Sequence, residues 1–399
     1  MDLSALRNAY QSGGIEECRR YLEKKRDEWK DIRLNVAVIG NSGVGKSSFI
    51  NAIRRLTADD EGATEVGVNQ TTVDILSYSH PRNPLLKFWD LPGVGTDRFP
   101  RQTYLRNIGV DRFDFFLLIT STRFTENDTW LGKELRSRNN KYFFIRTKVG
   151  HDVSDNKKAH PRTHSEEAVV KGIRESTKKH LTESGCENVS MFLIDSHKVK
   201  KFDFELLEHH LVEEFTNIKH AVLALSLRPS SEKMIHLKVA ELSSRMWQAA
   251  ALSCVQRPLA VAGETLTFNL VRVTTEAKFY YQQLALDETS LKHYAELMNC
   301  NYQQLESIVH RCLGCTAIDE EEILNMVQQS PQYSEFYEAF EKYSPYMSLF
   351  RVLLRKDPMI FAGTYCALKV VLDKMQSAAM EVVKFAAERA VDTDESDSD

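Results

Sequence analysis

Residues 40 to 47 read Gly40-Asn41-Ser42-Gly43-Val44-Gly45-Lys46-Ser47, which satisfies the phosphate-loop spacing G-x-x-x-x-G-K-[ST] at every fixed position. The glycines let backbone N–H groups approach an anion without a Cβ clash. Lys46 supplies a positive charge for the outer phosphates of a nucleoside triphosphate. The Ser47 hydroxyl suits a hard cation such as Mg²⁺, and Ser48 follows it in the first helical turn. An apolar run ending at Ile39 precedes the loop and the helical pattern SFINAIRRL follows it, so a helix N-terminus also points at the anion. A chance glycine turn is the bland alternative, and the register of strand, loop and helix disfavours it.

A second polar cluster, Asp90-Leu91-Pro92-Gly93, closes the apolar run LLKFWD 44 residues after Lys46. Placed there, D-x-x-G resembles the third motif of GTP-binding proteins, with Asp90 holding Mg²⁺ through water and the Gly93 N–H sensing the γ-phosphate. Between the two motifs a polar stretch contains Thr71 and Thr72. Thr72 is the candidate for closing over Mg²⁺, and an ordinary strand-entry threonine is the competing account. The base-reading segment is expected after the run KYFFIR, where Thr147-Lys148-Val149-Gly150-His151-Asp152 stands in place of [NT]-K-x-D. Lys148 can lay its stem on a purine face. The carboxylate that accepts from guanine N1–H and N2–H₂ is replaced by Gly150, which leaves Asp152 as the alternative acceptor. Ser196 and His197, in Asp195-Ser196-His197-Lys198 after VSMFLI, are placed to meet the guanine O6 and the base edge, with a plain strand-to-loop exit as the equal alternative. The residue after Gly93 is Val94 and no glutamine follows to orient water, so Gln70, His80 or a group from a second molecule are the hydrolytic candidates.

Elements that could position these residues are visible in the periodicity. From residue 34 short apolar runs alternate with helical stretches up to about 218, which predicts an α/β domain with a mixed, mainly parallel sheet covered by helices on both faces. Residues 1–33 read as amphipathic helix, and 219–391 as helices punctuated by Pro258, Pro331, Pro345 and Pro358. The two segments are expected to form one all-helical domain. The 399 residues, 42% apolar and 27% charged, are ample for a buried core. No apolar run approaches a spanning helix, Asp2 stands where myristoylation needs glycine, and an odd set of seven scattered cysteines points to the reducing cytoplasm. The net charge of −4 conceals an acidic end: five of the last eight residues are Asp or Glu, and without them the chain is at about +1. Residues 392–399 are therefore expected to be a disordered tail, and no basic stripe suggests nucleic acid.

With these residues in view the chain resembles the immunity-related (interferon-inducible) GTPases, a family related to the dynamins. The resemblance rests on a helical N-terminus, GxxxxGKSSFINA at 40–52, EGAxxxG at 61–67, YxHPxxP at 78–84, FWDLPGVGT at 88–96, FFIRTKV at 143–149 and the helical second half. It implies phosphate contacts from Gly43, Gly45, Lys46, Ser47 and Ser48, a switch threonine at Thr72, and base contacts from Lys148 and the Ser196 loop. It further implies Mg²⁺ as cofactor, GTP and GDP as substrate and product, and homo- or hetero-oligomers formed through G-domain faces. Action at intracellular membranes in cell-autonomous defence is implied as well. The chain departs from the family at Gly150, where an aspartate is expected, and at Gln70, where a glutamate is. These departures sustain a rival reading: a hydrolysis-deficient or nucleotide-free scaffold regulating related GTPases.

Overall fold

The structure is a computed structural model that describes residues 3–65, 74–122, 124–255, 268–297, 300–335 and 358–396. The chain divides into two compact units, one of residues 30–227 and one that joins 1–29 to 228–399.

After the first helix, α1 (Leu3–Asp27), come β1 (Leu34–Ile39), α2 (Lys46–Arg54), β2 (Leu76–His80), β3 (Asn83–Asp90), α3 (Tyr104–Ile108), β4 (Phe115–Thr120), α4 (Glu126–Ser137), β5 (Tyr142–Arg146), α5 (Val149–Ala159), α6 (Glu166–Glu183), β6 (Met191–Leu193), α7 (Phe204–Glu213) and α8 (Asn217–Ser226). The strands form one sheet in the order β2-β3-β1-β4-β5-β6, parallel throughout except for β2 against β3. β4 and β5 are buried at every residue, as continuous apolar runs in a doubly covered parallel sheet require. Alternate side chains serve opposite faces. Ala37, Ile39, Phe116, Leu118 and Phe144 pack with Leu105 and Ile108 of α3, Leu131 and Leu135 of α4 and Leu181 of α6. Phe115 points the other way, edge-on to Phe143 at 4.8 Å and near Phe215, while Phe49 of α2 meets Phe204 of α7.

Two features differ from the sequence expectation in this unit. β2 was not foreseen: Leu-Ser-Tyr-Ser-His carries little apolar character, and it survives as an edge strand with Leu76 exposed because it pairs with only one neighbour. The unit also runs on to residue 227 rather than 218, since α8 packs on β3 and α7. α2 and α7 are joined by a buried ion pair, Arg55 Nη2 to Glu208 Oε2 at 2.8 Å, with Arg55 in the left-handed conformation at the end of α2. Glu208→Ala leaves that guanidinium buried without its carboxylate, and the expected loss is about 3–5 kcal/mol, read as a lowered urea midpoint.

The other unit contains α1, α9 (Glu232–Val255), α10 (Leu270–Gln283), α11 (Glu288–Leu297), α12 (Tyr302–Leu313), α13 (Glu320–Gln328) and α14 (Pro358–Ser396). α1 is two helices merged across a break at Gly13-Gly14. Its Leu6, Cys18 and Leu22 pack with Ala250, Leu252 and Cys254 of α9 and Phe361 of α14. None of the seven cysteines forms a disulfide. α14 extends to Ser396, so residues 392–396 continue a helix where a disordered tail was expected. Adding residues to an established helix is far easier than nucleating one. Among the described residues no helix is long and apolar enough to cross a membrane.

Candidate nucleotide site

β1 lies between β3 and β4, the point where strand order reverses, and α/β sheets open a crevice at the carboxyl ends of strands there. Apart from His80, the described candidate residues fall at that edge: the 40–47 loop after β1, Asp90 and Gly93 at and just beyond the end of β3, Thr147, Lys148 and Asp152 after β5, and residues 195–197 after β6. The loop turns directly into α2, with Gly45 as the N-cap in the left-handed conformation.

Lys46 is 6% exposed, and its Nζ donates to Asn41 O at 2.9 Å and reaches Gly40 O at 3.5 Å. Burial lowers the pKa of this ammonium from its ordinary value, while the Asp90 carboxylate pulls it back up. A desolvated cation held by two carbonyl oxygens at the N-terminus of a helix offers its charge to an anion. Ser47 Oγ donates to Asp90 Oδ2 at 2.5 Å, so a hydroxyl and a carboxylate, both hard oxygen donors, meet at the head of α2. That donor set fits Mg²⁺. Ser48 is half-buried in the same turn.

The loop is tied on three sides. Thr147 Oγ1 donates to Val44 O at 2.6 Å and lies 3.0 Å from Thr120 O, so this side chain ties the phosphate loop to the ends of β4 and β5. Lys148, left-handed at φ 61°, sends Nζ to Gly43 O at 2.9 Å. On the third side, Asn41 Nδ2 donates to Thr125 Oγ1 at 2.8 Å and Asp128 Oδ1 at 3.1 Å, and Asn127 Nδ2 donates back to Asn41 Oδ1 at 3.0 Å. Asp128 is the residue that sequence reasoning missed. It is 1% exposed and accepts from Thr125 N–H and the hydroxyls of Thr125 and Thr120, and burial raises its carboxyl pKa. Thr125-x-x-Asp128 forms a reciprocal capping box, which was the available signal.

Gly93 presses on the loop from β3. A Cβ there would stand 2.7 Å from Ser42 N, so any side chain would collide with backbone. Tyr104 OH donates to Pro92 O at 2.8 Å from a fully buried position and anchors this segment underneath. Val94 is 5% exposed and packs into the core. His80 is displaced from the site as well: in the β2–β3 pairing Leu76 lies opposite Asp90, whereas His80 lies opposite Asn83 at the far end, bonded through Nδ1 to Arg82 N–H. Thr71, Thr72 and Gln70 fall in 66–73, outside the described residues. The approach to that segment is fixed: Thr64 Oγ1 donates to Ser47 O, and Thr64 exchanges two bonds with the Asn51 side chain.

On the base side Asp152 sits in the first turn of α5, where its carboxylate takes Arg146 Nη2 at 2.5 Å. That ion pair holds it against α5 rather than releasing it toward a purine. Ser196 is half-buried, and His197 is exposed with its N–H donating to Asp195 Oδ1 at 2.9 Å. Among the described residues, the group with metal-ligand spacing elsewhere is His209, His210 and Glu213 on α7.

The family described as interferon-inducible GTPase (IIGP) matches residues 2–375. Interferon-inducible GTPase 5 of Bos taurus is 32% identical over 394 residues, covering 98% of this chain and 83% of that protein. T-cell-specific guanine nucleotide triphosphate-binding protein 2 of Mus musculus is 31% identical over 302 residues, 75% of this chain and 72% of that protein. Among solved structures, the G domain of the T. maritima FeoB iron transporter superposes with a TM-score of 0.30 at 18% identity, covering 46% of this chain and 98% of that one.

Proposed function

The chain belongs to the interferon-inducible GTPase family, and from that premise we propose that it binds GTP with Mg²⁺ in the crevice above β1, hydrolyses it, and associates with a second G domain when triphosphate is bound. The observation that carries this reading is the buried Lys46 ammonium beside the Ser47–Asp90 pair. Backbone N–H groups of the 41–47 loop and the N-terminus of α2 cradle the phosphates. Lys46 neutralises their outer charge, and Ser47 with Asp90 holds Mg²⁺, whose charge, when bound, stabilises the transferring phosphoryl group. Gly93 packs against Ser42 so closely that no side chain fits between them, and its N–H is proposed to sense the γ-phosphate. Thr72 is proposed as the switch residue that closes over the cation.

Self-association is proposed as one source of the water-orienting group. Val94 is committed to the core and His80 to the far end of β2, which leaves Gln70 within 66–73 or a residue delivered by a partner G domain. The expected result is GTP turnover that rises per molecule with protein concentration, measured as phosphate release across a dilution series. Flat turnover would remove the partner from the mechanism, and tight GTP binding without turnover would favour the hydrolysis-deficient scaffold. Action at an intracellular membrane is proposed as peripheral, and co-sedimentation with anionic vesicles in the GTP and GDP states tests it.

A further inference from the structure

The geometry points to Asp195 as the guanine-reading carboxylate of this protein, moved from position 150 to the loop after β6. This inference rests on the GTP-binding reading above. The two positions are neighbours in space: Ile194 N–H donates to Arg146 O at 2.8 Å, and Val149 N–H reaches Ile194 O at 3.3 Å, so the start of α5 and the end of β6 run side by side. An ideal Cβ built on Gly150 would stand 2.2 Å from Asp195 Oδ2 and 3.2 Å from its Cγ. The Asp195 carboxylate therefore stands where the Cβ of any side chain at 150 would begin.

Its other features suit the role. Asp195 is 6% exposed, and its Oδ1 is pinned by the His197 N–H at 2.9 Å, which fixes the plane of the carboxylate and directs Oδ2 toward Gly150. Lys148, two residues before Gly150, brings its stem across the same mouth on its way to Gly43 O. A purine lying on that stem presents its N1 and N2 edge to whichever carboxylate stands beside Gly150. Two parallel N–H···O bonds to one carboxylate make the bidentate match that selects guanine over adenine. Asp152, the other carboxylate of this loop, is engaged by Arg146.

Exchange of the two residues also explains why 150 is glycine. An aspartate at 150 on top of Asp195 would bring two carboxylates into one desolvated volume, which sterics and like-charge repulsion both oppose. Gly150 is the space that lets Asp195 act.

The test is Asp195→Asn in the full chain, titrated with fluorescent GTP, XTP and ATP analogues in Mg²⁺. An amide keeps one acceptor and gains a donor, so it matches xanthine, whose C2 carries an oxygen in place of the amino group. The expected result is GTP affinity lowered about 100-fold, XTP affinity raised by a similar factor and ATP affinity unchanged. The ATP measurement separates a specificity change from a damaged fold. Gly150→Asp alone is expected to weaken GTP binding, and the double variant Gly150→Asp/Asp195→Ser to restore it. If Asp195→Asn leaves the GTP to XTP ratio unchanged while the parent chain binds GTP, the assignment is overturned and the GTPase reading stands. If the parent chain binds no triphosphate, both fall.

Discussion

Lys46→Ala is expected to remove GTP binding, with affinity falling by at least a factor of about 100, or roughly 3 kcal/mol at 1.4 kcal/mol per decade. The magnitude follows from burial. An exposed lysine near a phosphate is screened by water and worth little, but Lys46 is 6% exposed and its ammonium is held by the carbonyls of Asn41 and Gly40. The site therefore keeps a desolvated positive charge in place, and a polyphosphate is the counter-charge that completes it. Lys46→Arg should fail nearly as badly, because a planar guanidinium does not fit the space a compact ammonium fills between those two carbonyls. Equilibrium titration with a fluorescent GTP analogue in Mg²⁺ reads both variants, with thermal melting as the control for folding. Retained affinity in Lys46→Ala would discredit the phosphate loop as the binding element.

Gly40→Ala is expected to cost the fold itself. A Cβ on Gly40 would stand 2.0 Å from the carbonyl oxygen of Ile119, a backbone atom in the fully buried β4, and Gly40 already adopts φ +145°. Neither β1 nor β4 can shift without breaking the parallel ladder that joins Ile39 to Leu118. A loss of more than about 4 kcal/mol, or no soluble protein, is the expected outcome. Gly43 is the contrast: at φ +75° it has no heavy atom within 4 Å of an added Cβ. Gly43→Ala meets only the left-handed penalty of about 1–2 kcal/mol and should yield a folded protein. Urea titration of the two variants side by side decides the matter, and a Gly40→Ala midpoint matching that of Gly43→Ala would refute the steric account.

The phosphate-loop motif and its strand–loop–helix setting were legible in sequence because they are local. Eight consecutive residues carry the glycines, the lysine and the serine, and strand and helix follow from the flanking periodicity. The five strands that bury apolar runs were legible for the same reason. β2 was not, because an edge strand with one solvated face can be built from Leu76, Ser77, Tyr78, Ser79 and His80 without an apolar run. The base half was legible only as a gap. A glycine at 150 reads as a missing carboxylate along the chain, whereas in space Asp195, 45 residues later, stands where a side chain at 150 would begin. His80 looked available for chemistry because nothing in sequence reveals which end of a hairpin faces the crevice; the pairing of Leu76 with Asp90 decides it. Asp152 looked available because its ion pair with Arg146 depends on how α5 leaves β5.

The Thr147 hydroxyl carries a consequence for how this protein is made. It bonds to the backbone of Val44 across 103 residues and to that of Thr120 across 27, so the phosphate loop owes part of its shape to a residue synthesised long after it. Contacts of such sequence separation carry a loop-closure cost that local contacts do not. A nascent chain that has displayed Gly40 to Ser47 but not yet docked β5 has the motif without the cradle. GTP is then a ligand of the finished domain, able to lock it once β5 is in place and unable to guide the steps that bring it there.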